Sequence, residues 1–294
     1  MNTEKGRWSR LRGGLLFTGP TLFCFLTVMI VPFFYGLYLT FTNWDGISTT
    51  QSLVGFDNYL GVFKDAVFWK SFGLTLKYVL FTVILVNAVA FLLAFGLTRG
   101  MKGQNIFRAG FFVPNLVGGI VLGLIWQFIF SQVLVYIGTK TGIPFLEASW
   151  LSEPGKAFWS LVLVTVWQYA GYMMVIYIAG LMSVPNDILE AASIDGANGW
   201  TKLGRITLPL MVPSFVVCIF LTLQRGFMVY DVNLSLTKGG PFKSTEMVSM
   251  HVYGKAFLSR DYGLGQAEAL VLFLLVTVIT LLQVYFSKKL EVEA

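Results

Sequence analysis

Six stretches of the chain run for roughly a bilayer's width without a charged residue. They are Leu15–Phe41, Tyr78–Thr98, Ala109–Ser131, Ala157–Met182, Ile206–Gln224 and Ala269–Phe286. Roughly 20 apolar residues in a helix cross the hydrocarbon core of a membrane, so each stretch predicts one transmembrane helix. The pattern is that of an all-α integral membrane protein with six spans. Within the third stretch, Asn115, Gly119, Leu122 and Trp126 follow the helical period and predict one face of small, amide and aromatic groups. The first stretch follows a basic head, Lys5, Arg7, Arg10 and Arg12, as a signal peptide does. Its apolar run is far longer than a signal core and no small-residue cleavage site follows, so it is expected to remain as the first helix.

Composition changes the picture only by excluding alternatives. The chain has 294 residues, 56% hydrophobic and 12% charged, against roughly 25% charged in soluble domains. There is too little polar surface for a soluble enzyme or a disordered chain. Cys24 and Cys218 both lie in apolar runs, so neither a disulfide nor a metal site is expected. The single histidine, His251, is expected to be a solvated loop residue and cannot alone supply a zinc site or a hydrolase triad.

Six spans put both termini on one side. Eleven of the 21 Lys and Arg fall there: the four of the basic head, then Arg99, Lys102, Arg108, Lys202, Arg205, Lys288 and Lys289. These segments are only about half as long in total as the opposite loops, so the positive-inside rule places the termini in the cytoplasm of a prokaryotic plasma membrane. The expected organisation is a cytoplasmic segment 1–14, a six-span domain 15–286 and a cytoplasmic tail 287–294. The external segment 42–77 carries turn formers between aromatic residues and is expected to hold a short surface helix. The longest loop, 225–268, follows the fifth span. No tandem repeat, low-complexity tract or separate soluble domain is apparent.

The most informative segment is the loop 185–209 between spans 4 and 5. It reads as two short helices and a turn. Asp187 is placed to cap the first helix, three residues before Glu190, and Leu189, Ala192 and Ser193 give that helix a narrow face. Gly196 allows positive φ at the turn. A second helix over 197–205 then leads to Pro209. Small residues beside a sharp turn let another protein surface come close.

This stretch resembles the EAA loop of binding-protein-dependent ABC importer permeases: E-A-A, three residues, G, nine residues, I, one residue, L-P. Glu190, Ala191, Ala192, Gly196, Ile206, Leu208 and Pro209 fill every position, and Asp195 stands beside the glycine. Three further stretches are similar to the carbohydrate-uptake (maltose/oligosaccharide) branch: 107–114, 179–185 and Leu236-Thr-Lys-Gly-Gly-Pro241. Leu203 replaces the Phe usual in that branch and Gly204 follows it, which predicts a looser second helix. Met228 stands where a polar residue is common before the aromatic-Asp pair Tyr230-Asp231.

The resemblance implies a MetI-like permease fold and one half of a translocation path. It further implies a second homologous permease, two cytoplasmic ATPase subunits that hold ATP and Mg, and an extracellular solute-binding protein. In that family the loop seats in the ATPase and turns its closure into movement of the spans. The chain would then carry no catalytic residue, cofactor or metal of its own. Gly239 to Ser244 ends like a P-loop but lacks the glycine before Lys243, so no ATP site is expected there.

Polar groups inside spans commonly face the protein interior. Asn115, Trp126, Trp167, Gln168, Tyr172 and Gln224 are the substrate-path candidates, because aromatic faces stack on sugar C–H groups while amides bond hydroxyls. The competing reading is helix bridging or an interfacial aromatic belt. Tyr172 also matches a sugar-contact position of the family. Gly119 and Gly123 read as a close helix contact, and Arg225 with Asp231 as an ion pair at the outer face. The function implied is import of a carbohydrate, an oligosaccharide. The alternatives are glycerol phosphate or another polyol-like solute and, from another class, a self-powered secondary transporter. The last would require ionisable groups at mid-membrane, and the six stretches contain none.

Overall fold

The computed structural model describes Gly14 and residues 16–289. The basic head and the end of the tail lie outside the described residues. Among the described residues every regular element is helical, apart from one isolated bridge between Thr42 and Leu53. The long apolar helices are α1 (Leu16–Leu39), α3 (Ala66–Leu97), α5 (Gly119–Thr141), α6 (Pro154–Met182) and α12 (Tyr262–Lys288). A sixth segment, long and apolar enough to cross when its two helices are taken together, is a pair bent by 65°, α8 (Gly199–Leu210) and α9 (Val212–Phe227). Shorter helices are α2 (Asp57–Lys64), α4 (Gln104–Phe112), α7 (Asn186–Ile194), α10 (Asp231–Leu236) and α11 (Val248–Tyr253).

The described residues form two compact units, those up to 65 with 252–271, and 66–251 with 272–289. In the first, the Asn58 amide donates to Thr40 O and Thr42 O, both at 2.8 Å. The Tyr59 and Thr40 hydroxyls meet at 2.7 Å. Asp57 in the first turn of α2 and Lys64 in its last complement the helix dipole. Lys255 Nζ sits 2.8 Å from Asp65. Burial works against the Lys255 charge, but the Asp65 hydrogen bond and the charges of Asp65, Glu268 and Asp261 outweigh it and raise its pKa.

The core of the second unit is the packing of α3, α6 and α9. Val86, Ala90, Ala94 and Leu97 of α3 meet Met173, Met174, Tyr177 and Ile178 of α6, with Cys218 of α9. Small residues at Ala90 and Ala94 let these backbones come together, as membrane helices do without a hydrophobic driving force. A polar chain ties the same three helices. Tyr177 Oη donates to Asn87 Oδ1 at 2.7 Å, and Asn87 Nδ2 donates to Thr222 Oγ1 at 3.0 Å.

Several spans differ from their expected bounds, and in two of them the reason is that a charged residue does not stop a helix, whether it faces outward or is buried. α3 begins at Ala66 rather than Tyr78, with Lys70 and Lys77 exposed while Phe68, Ser71, Phe72 and Thr75 are buried. α12 begins at Tyr262 rather than Ala269, and so contains Glu268, which is wholly buried. The third span is broken. Pro114, which lacks an N–H, sits in a 3₁₀ turn, and Val117 and Gly118 are extended, so α4 and α5 are separate helices. Asn115 therefore does not share a helix with Gly119 and Trp126. His251 is not solvated: it lies in α11, buried, edge-on to Phe68 and 3.9 Å from Glu246. Gly119 and Gly123 are a packing site, as expected. A Cβ on either would meet Asp231 or Ser235 within 3.0 Å, because α10 lies directly on α5.

Candidate functional site

The loop 185–209 begins with α7, which carries Glu190, Ala191 and Ala192. Its N-cap is Pro185, not Asp187. Proline is pre-set in the extended conformation there, so the helix starts two residues earlier, at Asn186, and Asp187 acts on the dipole from inside the first turn. Asp195 ends the helix, and Gly196 follows at φ +80°, which favours glycine. Asn198 caps α8, its Oδ1 accepting from Thr201 N at 2.8 Å. The Lys202 ammonium donates to the Ser193 hydroxyl, which ties the two helices across the turn. A π-turn covers Leu203–Thr207, where Leu203 and Gly204 predict a looser helix. It carries Ile206 into Leu208 and Pro209. Two large apolar side chains of this hairpin are left exposed: Ile194 is 87% and Trp200 82% exposed.

Five of the six substrate-path candidates divide between two places on either side of α6. One is a polar cluster around Arg225, in the last turn of α9. Arg225 Nη1 donates to Asn115 Oδ1 at 2.9 Å, and the guanidinium lies over the rings of Tyr169 at 4.6 Å and Tyr172 at 4.9 Å. All four residues are half-buried, and Gln224 beside them is exposed. Arg225 thus belongs to this cluster, and among the described residues it makes no ion pair with Asp231. Tyr169 was not singled out by sequence. Its signal is the spacing of three from Tyr172, which puts both rings on one helix face.

The other place is an apolar groove of about 1000 Å³. Trp126 and Trp167 line it, their rings edge-to-face at 5.5 Å, together with Trp150, Trp159, Leu85, Val89, Phe107 and Phe111. Gln168 lies in neither. It is buried, and its amide donates to Val117 O at 3.4 Å. A close approach separates groove from cluster. At Gly171 a Cβ would stand 1.8 Å from Phe111 O, so only glycine lets the backbone of α4 rest on α6. Phe111 and Pro114 then face the groove, while Phe112 packs on Tyr172 and Asn115 meets Arg225.

Residues 87–292 match the family described as the binding-protein-dependent transport system inner membrane component. The chain belongs to that family. It is 42% identical to a probable starch degradation products transport system permease protein of Thermoanaerobacterium thermosulfurigenes, over 95% of this chain and 94% of that one. It is 35% identical to a multiple sugar-binding transport system permease protein of Streptococcus mutans, over 89% and 90% of the two chains. A bacterial ABC transporter involved in import of the acidic polysaccharide alginate has the same fold. That match has a TM-score of 0.82 at 19% identity and covers 96% of this chain and 98% of the other. The fold is thus that of an ABC importer permease. As a transport subunit of a binding-protein-dependent system, the chain is a multi-pass inner-membrane protein and not an enzyme.

Proposed function

We propose that this chain is one of two homologous permeases of an ATP-driven importer for a carbohydrate, an oligosaccharide, and that loop 185–209 couples it to the ATPase. The observation that carries this reading is the complete E-A-A…G…I-x-L-P pattern on a hairpin whose Ile194 and Trp200 are left uncovered. Exposed apolar side chains beside a small-residue turn are what a docking element requires. ATP and Mg reside on two cytoplasmic ATPase subunits. A solute-binding protein delivers the sugar on the other side, and both termini of this chain are cytoplasmic. Closure of the ATPases pushes on α7 and α8 and, through the bend into α9, moves the face that carries Arg225, Tyr169 and Tyr172. The sugar specificities in the names of the two relatives support a carbohydrate solute.

The fixed cation at Arg225 gives a second reading its one favourable observation: a phosphorylated polyol would find a partner there. The self-powered carrier loses its ground with membership of a binding-protein-dependent family. The test of coupling is a pair of substitutions in the assembled, reconstituted transporter. Gly196→Asn can keep positive φ and is expected to transport, whereas Gly196→Pro cannot and is expected to lose ATP-driven uptake while its spans still fold. Normal uptake with Gly196→Pro would sink the coupling role.

A further inference from the structure

We propose that Asp231 binds the passing sugar together with Arg225, its carboxylate accepting from one hydroxyl while the guanidinium donates to a neighbouring one. The role assigned to Asp231 rests on the oligosaccharide reading above and narrows the solute to one without a negative charge.

Opposite charges this near in sequence ordinarily close into an ion pair, and here each is held elsewhere. Arg225 is fixed by the Asn115 amide at 2.9 Å and lies over the rings of Tyr169 and Tyr172. Asp231 opens α10, whose backbone is pressed against α5: a Cβ on Gly119 would stand 2.8 Å from Asp231 Cβ. Ser235 Oγ donates to Asp231 O at 2.8 Å and reaches Gly119 O at 3.4 Å, which ties that turn to α5. The carboxylate itself makes no hydrogen bond or ion pair among the described residues. It does not cap the helix either, since the N-cap is Tyr230 and no side-chain cap bond is made.

One short segment brings both charges to the same place. Asn115 meets Arg225, the Val117 carbonyl accepts from Gln168 of α6 at 3.4 Å, and Gly119 meets Asp231. Gln168 precedes Tyr169, and the charges of Arg225 and Asp231 both act on the Tyr169 phenol. Of residues 224–231 only Gln224, Met228 and Asp231 are exposed. The open surface beside the fixed guanidinium is therefore made of an amide, a thioether and this carboxylate.

A fixed donor and a fixed acceptor that do not neutralise each other suit a ligand that is both at once. A sugar hydroxyl donates and accepts, so adjacent hydroxyls answer Arg225 and Asp231 without bringing a charge of their own. The tyrosine rings beside them offer a face for the C–H side of the sugar. A phosphate would gain from Arg225 but be repelled by Asp231.

The test uses the assembled transporter with its binding protein, in vesicles supplied with labelled maltotriose, a neutral starch fragment. Uptake and ATP hydrolysis are followed together. For Asp231→Ala uptake is expected to fall about tenfold, while hydrolysis stimulated by the loaded binding protein stays within about twofold of the parent. Asp231→Asn keeps an acceptor oxygen and is expected to lose less, about threefold. Thermal unfolding of both variants should match the parent, because the carboxylate holds nothing in place. Uptake by Asp231→Ala at the parent rate, with Tyr172→Ala impaired, would overturn the role of Asp231 and leave the oligosaccharide reading standing. A fall in hydrolysis as large as the fall in uptake would overturn it too, since the carboxylate would then act in docking or coupling. A parent transporter that hydrolyses ATP in response to maltotriose-loaded binding protein yet takes up no maltotriose would remove the reading, and the role of Asp231 with it.

Discussion

The cluster at Arg225 and the groove at Trp167 are built on the same helix a few residues apart, from similar aromatic residues, yet they suit opposite partners. Around Arg225 the rings of Tyr169 and Tyr172 are held under a cation that is fixed by the Asn115 amide. The face so formed offers hydrogen-bond donors and ring surfaces together, which is the chemistry a sugar needs. Around Trp167 the rings meet one another and aliphatic side chains, which suits an apolar partner. Aromatic content therefore does not mark a transport path. The second group that each ring meets decides the matter, and that depends on where α4 lies. α4 in turn is held by the missing side chain at Gly171.

The comparison breaks most completely at that glycine. Gly171→Leu should force α4 off α6, a forced overpacking worth about 3 kcal/mol. Its thermal unfolding in detergent should shift far below that of the parent chain. A smaller loss is expected from Arg225→Met, which removes the Asn115 hydrogen bond and two ring contacts. About 2 kcal/mol should be lost by the same measure, together with reduced uptake in vesicles, while the emission of the groove tryptophans stays as it was. Asn87→Ala sharpens the comparison from outside both faces. It cuts the Tyr177–Asn87–Thr222 chain and should cost about 1 kcal/mol in chemical denaturation, leaving both faces alike. The smallest effect belongs to Gly204→Ala. With open space at Cβ and no positive φ, it should add up to about 1 kcal/mol to the helix following the turn. Amide exchange over 203–207 should slow while the groove and cluster keep their rates.

Much of this organisation was legible in the residues. The six apolar stretches, the turn at Gly196 and the tight contact at Gly119 and Gly123 each rest on a local rule: bilayer length, positive φ, and absence of a Cβ. What escaped was decided by partners distant in sequence. A charge was read as the end of a span, so Glu268 and Arg225 were left outside helices that contain them. Arg225 was paired with the nearby Asp231, whereas the fold offers it Asn115, 110 residues away. Asn115 was set on a helix face shared with Trp126. Pro114 and the extended Val117 and Gly118 break that helix, and Asn115 meets Arg225 while Trp126 lines the groove.

The central claim is that the solute passes on the Arg225 side of α6 and not through the groove. Its most direct test is uptake of the labelled oligosaccharide drawn by the binding protein, in vesicles that hold the assembled transporter with either Tyr172→Ala or Trp167→Leu. Losing one stacking face on the path, worth about 1.4 kcal/mol, should cut uptake about tenfold for Tyr172→Ala. Trp167→Leu, which keeps the groove apolar, should stay within about twofold of the parent, under half a kcal/mol. Uptake that survives the loss of Tyr172 and fails with Trp167→Leu would put the solute in the groove and contradict the account.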